Sequence, residues 1–158
     1  MERRGAEKER LQVFYFLALF QIRTGVRIGE ACALAWRDVD FQTGAVSISK
    51  TVQWSRSKGR KTCISPLTKT GRPRVIYITS QVASALRAWA AKSKRTVGLI
   101  FSFDGFAPLP YRSVQHHYDI AFERLELPWT STHILRQSFA RPEYAHMRKV
   151  LRALTLCL

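Results

Sequence analysis

The most informative part of the chain reads TGVRIGE at residues 24–30 and continues as ALAWRDVD at residues 33–40. Glycine tolerates the left-handed backbone found just beyond helix ends, so Gly25 is expected to end the helix before it. Arg27 and Glu30 lie three residues apart at the start of a second predicted helix, where they share one face. The Glu30 carboxylate can hold the guanidinium in one rotamer, but an ordinary exposed ion pair contributes well under about 1 kcal/mol. Taken alone, this segment favours the ordinary ion pair.

A second segment, THILRQSFA at residues 132–140, places His133 and Arg136 three residues apart on one helical face. Arginine presents forked donors that match phosphate oxygens, and histidine can transfer a proton near neutral pH. The pair therefore indicates either a phosphate-binding site or the incidental polar face of a surface helix. This segment alone does not choose between them.

A third segment surrounds Lys69, in a predicted turn over residues 68–73 that is marked by Gly71 and Pro73. Eight basic residues and no acidic residue lie between Lys50 and Arg74. Such a run is typical of a solvated basic hairpin. The functional alternative is a hairpin that reaches a DNA backbone.

The composition supports a nucleic-acid partner. The 158 residues include 26 Lys and Arg but only 11 Asp and Glu, for a formal net charge of +15, and 46% are hydrophobic. A folded domain this basic usually binds a polyanion, the alternative being a basic accessory protein that is merely soluble. The three cysteines, at positions 32, 63 and 157, have no metal-ligand spacing, which predicts no bound metal and a reduced, cytoplasmic setting. The apolar run over residues 11–22 is too short to span a bilayer.

The patterning predicts an α+β domain that is mostly helical. Helical periods cover residues 6–22, 26–36, 80–91, 111–125 and 133–140. Ser80 is expected to cap the third of these helices. Alternation around Val46 and Ile48, with apolar runs at 63–67 and 75–78, predicts a small three-stranded antiparallel sheet near residues 45–79.

Together, and in this order, the segments resemble the phage integrase, or tyrosine recombinase, family. That family shows Thr-Gly-x-Arg-x-x-Glu, then Leu-x-Trp-x-Asp-hydrophobic-Asp, then a lysine in a β-hairpin turn, commonly as Thr-Lys-Thr, and then His-x-Leu-Arg. All four elements are present here, and the resemblance covers roughly residues 11–140. It implies the helical catalytic-domain fold of that family and double-stranded DNA as the partner.

The resemblance also implies a mechanism. Members of the family cut a DNA strand by attack of a tyrosine hydroxyl on a phosphodiester, without metal or other cofactor. Arg27 and Arg136 would bind the two non-bridging oxygens, where charge accumulates. Lys69 would protonate the leaving sugar oxygen, and His133 would assist proton transfer or support the transition state. Glu30 would orient Arg27.

The last stretch departs from the family pattern. Only 22 residues follow Arg136, and they contain no Leu-Gly-His segment, which the family places before its nucleophilic tyrosine. Tyr144, in the sequence Tyr-Ala-His, is the candidate nucleophile, but it follows Arg136 by only eight residues. The sequence therefore predicts an incomplete catalytic domain over residues 1–140 and an atypical tail over residues 141–158, as in a truncated or frame-shifted copy from a phage or mobile element.

Two functions remain open on these grounds. One is a recombinase catalytic-domain fragment whose activity depends on the missing or altered nucleophile. The other is a non-catalytic DNA-binding remnant or regulator. The apolar end of the tail predicts either an irregular packed helix or self-association.

Overall fold

The computed structural model describes residues 2–55, 62–67, 71–126, 132–140 and 148–156. The helices in these ranges are α1 (Glu2–Thr24), α2 (Ile28–Cys32), α3 (Ser80–Ser93), α4 (Tyr111–Arg124), α5 (Thr132–Ala140) and α6 (Arg148–Leu156). The strands are β1 (Ala45–Ile48), β2 (Lys50–Gln53), β3 (Cys63–Pro66) and β4 (Arg74–Tyr77). The predicted mostly helical fold with a small antiparallel sheet is confirmed.

Helix α1 is the centre of the core. Its second half is apolar around most of its circumference, with Val13, Leu17 and Ala18 fully buried, and it packs against α3, α5 and α6. Gly25 ends it as predicted: its φ is +66°, and its N–H donates to the Gln21 carbonyl at 2.8 Å. No helix within the described ranges is both long enough and apolar enough to cross a membrane.

The sheet differs from the predicted three-stranded arrangement. β1 pairs with β4, and β2 pairs with β3, both antiparallel, so that the described strands form two two-stranded ladders. β1 and β2 are separated only by Ser49, whose carbonyl accepts the N–H of Leu67 at 3.1 Å. Residues 45–53 thus form one interrupted strand, and β3 and β4 pair with its two halves rather than with each other.

The helix predicted over residues 26–36 is shorter than expected. α2 ends at Cys32, and a single 3-10 turn follows at Trp36–Asp38. Between α2 and this turn, the backbone bonds to a distant segment. The Leu34 carbonyl accepts the N–H of Ile100, and the Trp36 N–H donates to the Gly98 carbonyl at 3.0 Å. These bonds to a distant segment outcompete the local helical pattern.

Two other predicted features have corrected details. The cap of α3 is Thr79 rather than Ser80, since the Thr79 hydroxyl accepts the N–H of Val82.

Of the two roles predicted for the apolar tail, the packed helix is the one found. α6 lies against α1 and α4, with Val150 and Leu154 buried in the common core. The predicted division of the chain at residue 140 falls beside residues 141–147, outside the described ranges, and stays a prediction.

A buried polar chain connects α4 to the loop after α1. The Tyr118 hydroxyl donates to Gln21 Oε1 at 3.0 Å, and Gln21 Nε2 donates to the Val26 carbonyl at 3.3 Å. Tyr118, Gln21 and Val26 are all fully buried. Because buried polar groups cost free energy unless they are hydrogen-bonded, this chain fixes the backbone immediately before Arg27.

Tyr118→Phe should lower the free energy of unfolding by about 1–3 kcal/mol, because it leaves a buried amide oxygen without its donor. Urea denaturation monitored by circular dichroism measures the change. Tyr77→Phe is the matched control: Tyr77 is 75% exposed, so its loss should stay within about 0.5 kcal/mol. Equal effects in the two variants would contradict the role given to the buried chain.

Candidate functional site

Three cationic or titratable side chains from two distant segments meet at one cavity. The cavity has a volume of about 280 Å³ and is lined by Arg27, His133 and Arg136. The rest of its described lining comes from α2 and from β2 with the residues after it: Ile28, Gly29, Thr51, Val52 and Trp54. Arg27 and His133 are exposed and Arg136 is partly buried, so these groups are accessible to a ligand in solvent.

Two glycines of the TGVRIGE segment allow this convergence. A Cβ atom on Gly25 would lie 2.9 Å from Cδ1 of Phe139, so a larger residue would push α5 away from the Arg27 loop. A Cβ on Gly29 would lie 2.5 Å from the Thr51 hydroxyl and 3.1 Å from the Val52 carbonyl, which would separate α2 from β2. The lack of a side chain at both positions therefore brings α5 and β2 close to Arg27.

Arg27 itself is held through its backbone. It immediately precedes α2 in extended conformation, with φ −64° and ψ 148°. Its N–H donates to Glu30 Oε2 at 3.1 Å, whereas its guanidinium reaches Glu30 Oε1 only at 3.5 Å. The side chain is 54% exposed. Glu30 thus fixes the position of Arg27 in the chain and leaves most of the guanidinium free for another anion.

The main partner of Glu30 is Arg74, which the sequence analysis did not single out. Arg74 Nη2 donates to Oε2 at 2.8 Å and Nη1 donates to Oε1 at 3.1 Å, a two-pronged pair that joins β4 to α2. The Glu30 side chain is 1% exposed and that of Arg74 is 39% exposed. No local pattern indicates this pair, because the two residues are 44 positions apart.

The ionised form of Glu30 is favoured. Burial by itself raises the pKa of this carboxyl, but hydrogen bonds from Arg74 and from the Arg27 N–H, together with both positive charges, lower it below its ordinary value. The same pair raises the pKa of Arg74, with the hydrogen bond to Glu30 as the largest cause. Glu30 therefore stays negative and fully paired, and it is not among the residues that line the cavity.

The cavity is suited to an anion with several oxygens. Its described lining contains two guanidinium groups and one imidazole and no carboxylate. Arginine forks match the geometry of phosphate oxygens, and charge-assisted hydrogen bonds of this type are about twice as strong as neutral ones. His133 adds an imidazole, whose ring nitrogens can donate or accept a hydrogen bond.

The remaining predicted site residues lie outside the described residues. Lys69 falls in 68–70 and Tyr144 falls in 141–147. Residues 67 and 71, which flank the Lys69 segment, are described and place its two ends where the chain leaves the sheet. Within the described ranges, no group of three or more His, Cys, Asp or Glu side chains is arranged to hold a metal ion.

Comparisons with known proteins identify the family of the chain. The phage integrase family matches residues 6–146, and the chain belongs to that family. Tyrosine recombinase XerC of Xanthomonas campestris pv. campestris, strain B100, is 28% identical over 132 residues, which cover 82% of this chain and 33% of that protein. A protein of Escherichia coli K12 that is named as defective, IntQ, is 39% identical over 67 residues, which cover 42% of this chain and 15% of that protein.

The fold is also found in solved structures. The integrase of the Tn1549 transposon, solved in complex with a circular intermediate DNA, superimposes with a TM-score of 0.65 at 22% identity, covering 91% of this chain and 50% of that one. The chain thus spans about half of that solved integrase chain and about a third of the XerC relative. The predicted family is confirmed, and so is its mostly helical fold with a small sheet.

Arg74→Ala should lower the free energy of unfolding by about 1–3 kcal/mol, since it leaves the buried Glu30 carboxylate without its two-pronged donor. The loss should be smaller than for a fully buried pair because solvent reaches Arg74. Arg72→Ala removes an exposed arginine two residues away and serves as the control. Thermal and urea unfolding of both variants test this. If both variants lose the same free energy of unfolding, the Glu30–Arg74 pair does not contribute more than an exposed arginine.

Proposed function

We propose that this chain is a DNA-binding catalytic-domain fragment of a site-specific tyrosine recombinase. The observation that carries the proposal is the cavity shared by Arg27, His133 and Arg136, in which Arg27 meets two residues that lie more than 100 positions further along the sequence. A shared anion explains why such residues converge without a carboxylate among them. The +15 net charge identifies a polyanion, and the relatives named as recombinases and integrases support double-stranded DNA.

The residues of the cavity are suited to different parts of a phosphoryl-transfer reaction. Arg27 and Arg136 bind the two non-bridging oxygens of one phosphate, so that fixed cations meet the charge that develops there. In a chain with a positioned nucleophile, His133, at the same cavity, would assist proton transfer or support the transition state. Lys69, which follows β3 and precedes β4 in the sequence, is proposed to protonate the leaving sugar oxygen. Glu30 and Arg74 hold Arg27 in place.

We further infer that the chain binds DNA without forming a phosphotyrosyl bond. Tyr144 follows Arg136 by eight residues, and Pro142 lies between them and lacks the N–H that a continued helix needs. An in-line attack requires the nucleophile to be held in one geometry. The similarity to a protein named as defective favours the second function open from the sequence, a non-catalytic DNA-binding remnant or regulator. Either function places the chain in the cytoplasm of a bacterium or phage host.

Arg27→Ala and Arg136→Ala should each weaken duplex DNA binding about tenfold, because each removes charge-assisted hydrogen bonds to a phosphate. Each should also reduce the slope of log affinity against log salt by about one. Fluorescence anisotropy with a labelled duplex at several salt concentrations measures both quantities. Arg152→Ala, an exposed arginine on α6 outside the cavity, is the control and should change the affinity less. Wild-type affinity that hardly varies with salt would refute the electrostatic basis of the proposal.

Incubation with a nicked suicide recombination site should give no covalent protein–DNA band on a denaturing gel. An enzyme with a positioned nucleophile would accumulate such an adduct, because the nick releases the strand needed for rejoining. If a shifted band forms and disappears in Tyr144→Phe, the chain is an active strand-cleaving enzyme and Tyr144 is its nucleophile.

A further inference from the structure

A second, larger cavity adjoins the one that holds Arg27. Its volume is about 540 Å³, and its described lining consists of Trp54, Ser55, Tyr111 and Arg112. Trp54 lines both cavities, so the two share a wall. Neither the predicted chemistry nor the family motifs assign a role to Trp54, Tyr111 or Arg112.

The aromatic wall of this cavity is held rigidly. The Trp54 indole N–H donates to the Leu109 carbonyl at 2.8 Å, which fixes the orientation of the ring. The Tyr111 ring packs beside it, with centroids 5.2 Å apart and planes tilted by 52°. The Tyr111 hydroxyl donates to Gln115 Oε1 at 3.2 Å. Both rings are only partly buried, so each is fixed and still exposes surface to a ligand.

The chemistry of the wall differs from that of the first cavity. The first cavity is small and presents cations, as one phosphate requires. The second combines two aromatic rings with the exposed Arg112 guanidinium, and its volume falls within the range of roughly 300–1,000 Å³ that is typical of small-molecule pockets. Aromatic rings beside an arginine are the groups with which proteins bind single-stranded nucleic acid, because rings stack on bases and arginine binds the backbone phosphates. Because the two cavities adjoin, consecutive parts of one DNA strand could occupy them, with a phosphate in the first and a base in the second.

We propose that the cavity formed by Trp54, Tyr111 and Arg112 binds an unpaired nucleobase of the DNA strand whose phosphate lies between Arg27 and Arg136. The base stacks on the Trp54 ring with its edge against the Tyr111 ring, and Arg112 contacts a neighbouring phosphate. The base must be unpaired because the faces of a paired base are covered by its neighbours in the duplex. This inference rests on the proposed function, since it places the base relative to the phosphate bound there.

The test uses the full chain and three labelled duplexes of equal length. One is fully paired, one carries a single unpaired thymine, and one carries an abasic site in place of that thymine. The wild type should bind the thymine-bulged duplex about tenfold more tightly than the abasic one, since stacking of one base is worth roughly 5- to 160-fold in affinity. Trp54→Ala should abolish this preference, measured as the ratio of the affinities for the bulged and abasic duplexes, whatever it does to the affinity for both.

Further variants separate stacking from folding. Trp54→Phe keeps a ring but loses the hydrogen bond to Leu109, and Tyr111→Phe loses only the bond to Gln115, so both should retain most of the preference. Tyr111→Ala should reduce it, whereas Tyr77→Ala, which removes an exposed tyrosine on β4, should not. Arg112→Ala should weaken binding to all three duplexes more than Arg124→Ala, which removes an exposed arginine from the other end of α4.

A fluorescent base analogue gives an independent measurement. 2-Aminopurine placed at the bulge should lose fluorescence when the wild type binds and recover it with Trp54→Ala. Equal affinity of the wild type for the thymine and abasic duplexes, or an equal loss on all three duplexes in Trp54→Ala, would overturn the inference. Failure of the proposed function has a different outcome: Arg27→Ala and Arg136→Ala would then bind every duplex as the wild type does.

Discussion

The buried carboxylate of Glu30 is the interaction on which the arrangement of the site depends. A charge removed from water is costly unless opposite charge and hydrogen bonds surround it, and breaking such a pair is far more costly than a surface ion pair is worth. Glu30 meets this condition with the fork of Arg74 and the N–H of Arg27. Because both partners are needed, the carboxylate fixes the position of β4 relative to α2 and the position of Arg27 relative to both. One buried group thereby joins the helical part of the chain to its sheet.

The second constraint is the close approach of neighbouring elements to the backbone around Arg27. It depends on two glycines, which have no Cβ atom. Gly25 and Gly29 lie on either side of Arg27, and each lets a neighbouring element come within a distance that a Cβ would prevent. α5 approaches at the first glycine and β2 at the second. The cations of the cavity converge for this reason, although like charges repel and would not assemble without a scaffold that holds them.

The two adjoining cavities differ in the kind of binding energy that they offer. Arg27, His133 and Arg136 provide charge and hydrogen bonds, which depend on salt and act on any phosphate. Trp54 and Tyr111 provide flat apolar surface, which depends little on salt and distinguishes an exposed base from a paired one. Trp54 is common to both because β2 carries it past the phosphate cavity towards the start of α4. The same strand therefore contributes to both kinds of contact.

The sequence by itself determined the local features of this protein and the chemical nature of its site. Helical periodicity located α1, α3, α4 and α5 to within a few residues, and Gly25 marked the end of α1, because these features depend on neighbours within one or two turns. Motif order placed Arg27, His133 and Arg136 together as candidates. Tertiary structure alone decided which partners distant groups take. It paired β3 and β4 with two halves of one strand, ended α2 early by bonds to residues 98–100, and gave Glu30 to Arg74 rather than mainly to Arg27. These choices depend on which groups become buried together, and burial is a property of the folded chain that no local pattern of residues contains.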